Sequence, residues 1–233
     1  MSGSPPRYPP RALTSRPSLP PIAAAASRAD LVERALREAI LSGRLRPGEQ
    51  LVERTIAEQM QVSKTPVREA LINLQAAALV TAENGRVIVR TIDGSAAADL
   101  YDTRLILEPA AIALAVPNHD EQSVADARAI LERSRQHADR GAATELVLTN
   151  RTLHTAFYAP CRNELLLSML ERLQAQVALC AVTAWRSGPR WETEHQEHVA
   201  ILDAIETGDR GAAEARAREH LLRSRERVVP AVD

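Results

Sequence analysis

The sequence predicts a mainly α-helical chain of 233 residues. An N-terminal winged helix-turn-helix, three helices plus a β-hairpin wing, is followed by an all-α antiparallel helical bundle. Three observations predict this. Apolar residues recur at helical spacing in three short segments before residue 79. The period then switches from 3.6 to 2 on either side of Asn84-Gly85, as in a hairpin. From Asp93 onward every segment returns to helical spacing. Aromatic residues make up 3% of the chain against 45% hydrophobic residues in all, which suits closely packed helices better than a β-sandwich.

Residues 1–26 are rich in Pro and Ser and lack apolar periodicity, which predicts a disordered arm. Arg7, Arg11 and Arg16 in it would add non-specific phosphate attraction. Residues 27–92 make up the first expected domain. Its first helix runs from about Ser27 to Ser42 on Leu31, Ala35, Leu36, Ala39 and Ile40, with Gly43 to stop it. After a Pro47-Gly48 turn, a short helix over about Glu53–Gln61 buries Ile56, Ala57 and Met60. Ser63 or Thr65 caps the third helix, and Pro66 is tolerated in its first turn. The stripe Val67, Leu71, Leu74 and Ala78 leaves Lys64, Thr65 and Arg68 on the opposite side. Leu79–Glu83 and Arg86–Arg90 then form the hairpin.

Residues 93–229 make up the second domain, with helices near 95–116, 120–139, 142–158, 163–185, 190–207 and 209–227. Asp93 or Ser95, Asp120 and Asp209 are the expected N-caps, and Gly141, Gly188 and Gly208 separate helices. Pro109 should kink or split the first of these. Six antiparallel helices can enclose a cavity.

A net charge of −1 hides an asymmetry. Residues 1–92 carry 13 basic side chains against 8 acidic ones, and residues 93–233 carry 16 against 22. A basic front and an acidic back fit a nucleic-acid reader joined to a regulatory domain. No apolar run reaches the ~20 residues of a membrane span. The N-terminus has no apolar signal region. Cys161 and Cys180 form neither a metal-type pair nor a disulfide framework. A cytoplasmic protein without membrane contact is expected.

Two blocks carry a family resemblance: Ala-Ile-Leu-Ser-Gly-Arg-Leu-Arg-Pro-Gly-Glu-Gln-Leu (39–51) and Val-Ser-Lys-Thr-Pro-Val-Arg-Glu-Ala-Leu (62–71). With the Asn-Gly wing after them, they resemble the DNA-binding half of GntR-type regulators. Leu-Tyr-Asp-Thr-Arg-Leu-Ile-Leu-Glu-Pro (100–109), Asn-Arg-Thr-Leu-His (150–154), Glu-His-Val-Ala-Ile-Leu-Asp-Ala-Ile (197–205) and Glu-His-Leu (219–221) resemble the helical FCD domain of the fatty-acid-regulator branch. The resemblance covers about residues 28–227. It implies a transcriptional regulator, not an enzyme, acting as a homodimer on double-stranded operator DNA and answering to a small carboxylate effector.

On the DNA side, Lys64, Thr65 and Arg68 open the third helix, where a basic side chain can donate to guanine in the major groove. Arg54 matches a further DNA-contacting position of the family. Gly85 lets the wing tip approach the backbone, and Arg86 can reach phosphate or minor groove. A solvated face is the alternative reading of each basic residue.

In the family, the positions of Asn150, His154, His198 and His220 form a metal site whose first ligand is commonly Asp. Asn150 and His154 stand four apart and share a helix face. An amide oxygen at Asn150 is a weaker ligand than a carboxylate. Three imidazoles still suit a divalent ion such as Zn²⁺ or Ni²⁺; three merely hydrogen-bonded buried histidines are the alternative. His195 is a decoy in this reading. Arg104 occupies the family position that faces the cavity and can clamp a carboxylate, or pair with Glu108 at i+4. Tyr101 and Trp185 would line or cap the pocket, or else pack in the core. A metal-dependent hydrolase on the three histidines is the competing function, but it needs a general base that the sequence does not place.

Overall fold

A computed structural model describes residues 27–184 and 191–232. The arm at 1–26, Trp185 and Gly188 lie outside the described residues.

Helix α1 spans Arg28–Leu41 and begins on a reciprocal cap. Ser27 Oγ accepts from the Asp30 amide, and the Asp30 carboxylate accepts from the Ser27 amide; two otherwise unpaired donors are thereby satisfied. The helix buries Val32, Leu36 and Ile40, whereas Leu31 is 54% exposed. Leu31 and Ala35 of the expected stripe therefore lie on the solvent side, while Leu36 and Ile40 face inward. Helices α2 (Glu53–Met60) and α3 (Lys64–Ala76) follow, and Val67, Ala70, Leu71 and Leu74 of α3 are fully enclosed.

The expected hairpin consists of β2 (Val80–Glu83) and β3 (Arg86–Val89), with Glu83 paired to Arg86. Asn84 and Gly85 between them both have positive φ, 51° and 75°, the geometry whose twist matches a hairpin. A third strand, β1 (Gln50–Leu51), pairs antiparallel with β3 and gives the order β1-β3-β2. Two residues are too few for alternation to show in a sequence.

The remaining helices are α4 (Gly94–Ala115), α5 (Glu121–Asp139), α6 (Ala143–Tyr158), α7 (Glu164–Ala184), α8 (Trp191–Glu206) and α9 (Arg210–Val232). Asp93, Asp120 and Asp209 accept from the amides three residues on, as expected of N-caps. Helix α4 runs through Pro109 without splitting. Proline has no N–H, so the Leu105 carbonyl lacks its helical donor. Arg218 of α9 donates to that carbonyl instead, at 3.2 Å.

Packing sets α4 against α9 and α7, α5 against α6 and α8, and α8 against α9. Ile112, Leu153, Phe157, Leu170, Ile201 and Leu202 fill the bundle core. The core of the N-terminal helices extends to Val147 of α6 and to Ala178 and Leu179 of α7. No helix among the described residues is long and apolar enough to cross a membrane.

Candidate metal centre and DNA-facing surface

Three histidines meet in the bundle because each occupies the inward stripe of its own helix. His154 lies beside Leu153 on α6, His198 three residues before Ile201 on α8, and His220 beside Leu221 on α9. All are 4% exposed or less. His198 Nε2 lies 3.2 Å from His154 Nε2 and 3.3 Å from His220 Nε2. The facing nitrogens of all three lie within 4.8 Å of one another.

The opposite edges of two rings are held by carboxylates. His220 Nδ1–H donates to Glu197 at 2.7 Å. His154 Nδ1–H donates to Glu108 Oε1, whose other oxygen accepts from Arg104 Nε at 2.9 Å. These contacts fix the protons on Nδ1 and leave lone pairs at the converging Nε2 atoms. A proton on His198 Nε2 could serve one neighbour well but not both.

The donor set therefore fits a cation. Metal–nitrogen bonds of 2.0–2.1 Å around a tetrahedral ion put ligand nitrogens roughly 3.3–3.4 Å apart. Burial, and then the neighbouring imidazoles, push His198 well below the usual histidine range. Burial lowers His220 in the same direction. Neutral imidazole is the form that ligates a metal.

The two supporting carboxylates stay ionised for a different reason. Burial alone would raise Glu108, but the charge of Arg104 and the hydrogen bonds from Arg104 and His154 outweigh it and hold the carboxyl far below its usual range. For Glu197, burial is outweighed by hydrogen bonds from His220 and Arg227, which pull it down to about 2.

The structure pairs Arg104 with Glu108 at i+4, the second of the two partners that the sequence left open. Arg104, expected to face a ligand cavity, is 2% exposed; its carboxylate partner is Glu108. Its guanidinium carbon sits 5.0 Å from the Tyr101 ring centroid, and Tyr101 is itself buried. Glu108 serves His154 as well as Arg104. Asn150, one turn before His154, lines a cleft with His198, His195, Glu194, Trp191, Leu146 and Ser134. Glu197 was not foreseen. It sits beside His198 in the sequence, and a buried acid next to an inward histidine was the available signal.

In the N-terminal helices and hairpin, Lys64 and Thr65 are exposed at the N-terminus of α3, as is Arg86 beside Gly85 at the hairpin tip. Arg54 is exposed on α2, with Glu58 at 3.9 Å. Arg68 is exposed too, but two of its three guanidinium nitrogens, Nε and Nη2, donate to Glu53 of α2, at 3.0 and 2.9 Å. That cross-helix fork was absent from the sequence expectation.

Residues 28–89 match the bacterial regulatory proteins of the gntR family, and residues 99–223 match the FCD domain. The chain is 33% identical over 143 residues to the HTH-type transcriptional regulator McbR of Escherichia coli (strain K12). That match covers 61% of this chain and 65% of McbR, just under two thirds of the relative's length. It is 26% identical over 190 residues to the uncharacterized HTH-type transcriptional regulator YdhC of Bacillus subtilis (strain 168), covering 80% of this chain and 83% of that one. Among solved structures, E. coli McbR/YncC matches with a TM-score of 0.78 at 25% identity, over 86% of this chain and 96% of the other. A GntR regulator from Rhodococcus sp. RHA1 matches with a TM-score of 0.75 at 26% identity, over 88% and 98%. McbR and YdhC are both named as regulators of transcription.

Proposed function

The chain belongs to the gntR family of bacterial regulatory proteins and carries an FCD domain, and we propose that this DNA-binding regulator is a cytoplasmic repressor released from its operator by a small carboxylic acid. The observation that carries the reading is the convergence of three Nε2 atoms backed by Glu108 and Glu197. His154, His198 and His220 would hold a divalent ion, zinc or nickel, with Asn150 as a weak or water-mediated fourth partner. Such an ion supplies Lewis-acid charge with open positions that an acid's carboxylate can take.

The chain's own residues connect that centre to the DNA side. Arg104 and Glu108 lie on α4, which follows the wing after Thr91-Ile92-Asp93, and Glu108 holds His154 of α6. Val147, two turns before His154, belongs to the core that seats α1 and α3. An acid that favours one placement of α4 and α6 therefore biases the placement of the recognition helix α3. A ligand shifts an equilibrium only through such differential affinity. In this reading Arg104 acts through Glu108 and does not clamp the acid, with Tyr101 packed against it.

Lys64, Thr65 and Arg68 would enter the major groove, while Arg54, Gly85 and Arg86 meet the backbone on either side. One recognition helix makes few base contacts, so two copies would read a palindrome. Ile106 of α4, Leu165 and Met169 of α7 and Leu222 of α9 are exposed apolar side chains available for that association.

Metal content of the purified protein, beside His198→Ala, tests the centre; wild type should hold an equimolar divalent ion and the variant should lose it. An operator mobility shift relieved by small acids tests the switch. Protein that never takes up metal when it is supplied in excess would overturn the metal reading. Turnover of the acid would favour the hydrolase.

A further inference from the structure

Helix α3 encloses Pro66, Val67, Ala70, Leu71 and Leu74. At about 3.6 residues per turn, the direction opposite Ala70 and Leu74 is shared by Thr65 and Ile72, with Arg68 beside them. Ile72 is 59% exposed. A lone exposed isoleucine is ordinary on a protein surface; the place of this one is what matters. It stands one turn beyond Arg68, in the centre of the face that α3 turns away from its own core. Thr65, Arg68 and Ile72 are spaced as the base-reading side chains of a homeodomain recognition helix are.

Helix propensity does not account for the residue, because a β-branched side chain is a poorer helix former than Leu, Arg or Lys. Nor does packing, since most of the side chain lies in solvent. Without a donor or an acceptor, Ile72 can neither join the hydrogen-bond code of the base edges nor hold a phosphate. The major groove offers it one apolar partner, the 5-methyl group of thymine. Four residues along α3 from Arg68 is roughly 6 Å, or about two base-pair steps. In a helix the χ1 of isoleucine is held near one rotamer, so little freedom is lost on contact.

We propose that Ile72 is a specificity-determining residue for DNA, packing on the 5-methyl group of a thymine about two base pairs from the base that Arg68 addresses. The assignment rests on the reading of α3 as the helix that enters the major groove.

The test begins with a duplex that the full-length wild-type protein selects from a randomised pool. Each thymine of that duplex is then replaced in turn by deoxyuridine, which lacks only the methyl group. Binding is read by fluorescence anisotropy at fixed salt. At one thymine, and at its symmetry mate in a palindrome, the replacement should weaken wild-type binding about fourfold, the worth of one buried methyl group. Ile72→Ala should bind the thymine and uracil duplexes equally, and Ile72→Val should keep part of the difference. Affinity for a scrambled duplex, and Tm, should be the same in all three proteins. A selected duplex in which no thymine methyl matters, or a methyl effect that survives Ile72→Ala, would overturn the assignment. So would Ile72→Ala turning a dimer into a monomer in sedimentation, which would give the side chain to a second copy of the chain. Arg68→Ala and Lys64→Ala, measured on the same duplexes, keep the two readings apart. If either loses preference for the selected duplex while no methyl effect depends on Ile72, α3 still reads the groove and only the Ile72 contact falls. If neither does, the placement of α3 fails and takes the Ile72 contact with it.

Discussion

Glu108 holds the Nδ1 edge of His154, although the two are 46 residues apart in the chain and on different helices. The same carboxylate takes Arg104 on its second oxygen. One buried acid thus orients a candidate metal ligand and neutralises a buried cation. Removing either partner of a buried pair leaves an uncompensated charge, whereas replacing both with apolar groups can be nearly neutral.

Glu108→Gln should therefore destabilise the fold by about 3–5 kcal/mol, read from urea unfolding of the metal-free protein. The double variant Arg104→Leu with Glu108→Leu should recover most of that loss. It should still bind zinc more weakly than wild type, because His154 has lost its orienting acceptor. Zinc affinity equal to wild type in the double variant would make the pair structural only.

Glu197→Gln should lower zinc affinity by roughly 10–100-fold, the usual effect of losing a carboxylate behind a metal-bound imidazole. Glu197 also accepts from Arg223 and Arg227, so the comparison is Arg223→Ala, whose side chain is half exposed and which should change zinc binding little. A competition titration with a chelator of known affinity reads both. Equal losses in the two variants would show that the charge network, not the His220 contact, sets affinity.

The Arg68–Glu53 fork bears on DNA reading. Arg68→Ala should cost ~1–3 kcal/mol of operator affinity at fixed salt. Glu53→Gln should strengthen non-specific binding, since it removes a negative charge near phosphates, and should narrow the gap between specific and random DNA because Arg68 is no longer aimed. Fluorescence anisotropy with operator and scrambled duplexes measures both. An unaltered specificity ratio in Glu53→Gln would mean that the fork does not position Arg68.

Arg218 and Pro109 should be energetically coupled through the Leu105 carbonyl. Arg218→Ala should cost about 1 kcal/mol, the net worth of one hydrogen bond. In a Pro109→Ala background the helix regains its own donor to that carbonyl, so the same substitution should cost almost nothing. A double-mutant cycle by thermal unfolding gives the coupling; purely additive effects would show that the contact contributes nothing to stability.

Much of the fold was legible because its determinants are local. Ser27 with Asp30, Asp93, Asp120 and Asp209 each cap a helix by reaching an amide three residues away, and Asn84-Gly85 makes its turn from two residues. Local spacing could not decide which of the neighbours Leu31 and Val32 faces inward, because both belong to apolar repeats of helical period. Nor could it reveal β1, which owes its existence to an edge that β3 presents.

The sequence by itself determined the order of the helices, the hairpin and, through the family resemblance, which three histidines to consider together. The tertiary structure alone decided their chemistry. Glu53 pairs with Arg68, Glu108 with His154 and Glu197 with His220 at separations of 15, 46 and 23 residues. A charged contact at such a distance along the chain depends on how helices pack, and no local propensity records it. Whether a buried arginine meets a ligand or an internal carboxylate is settled only when the helices are in place.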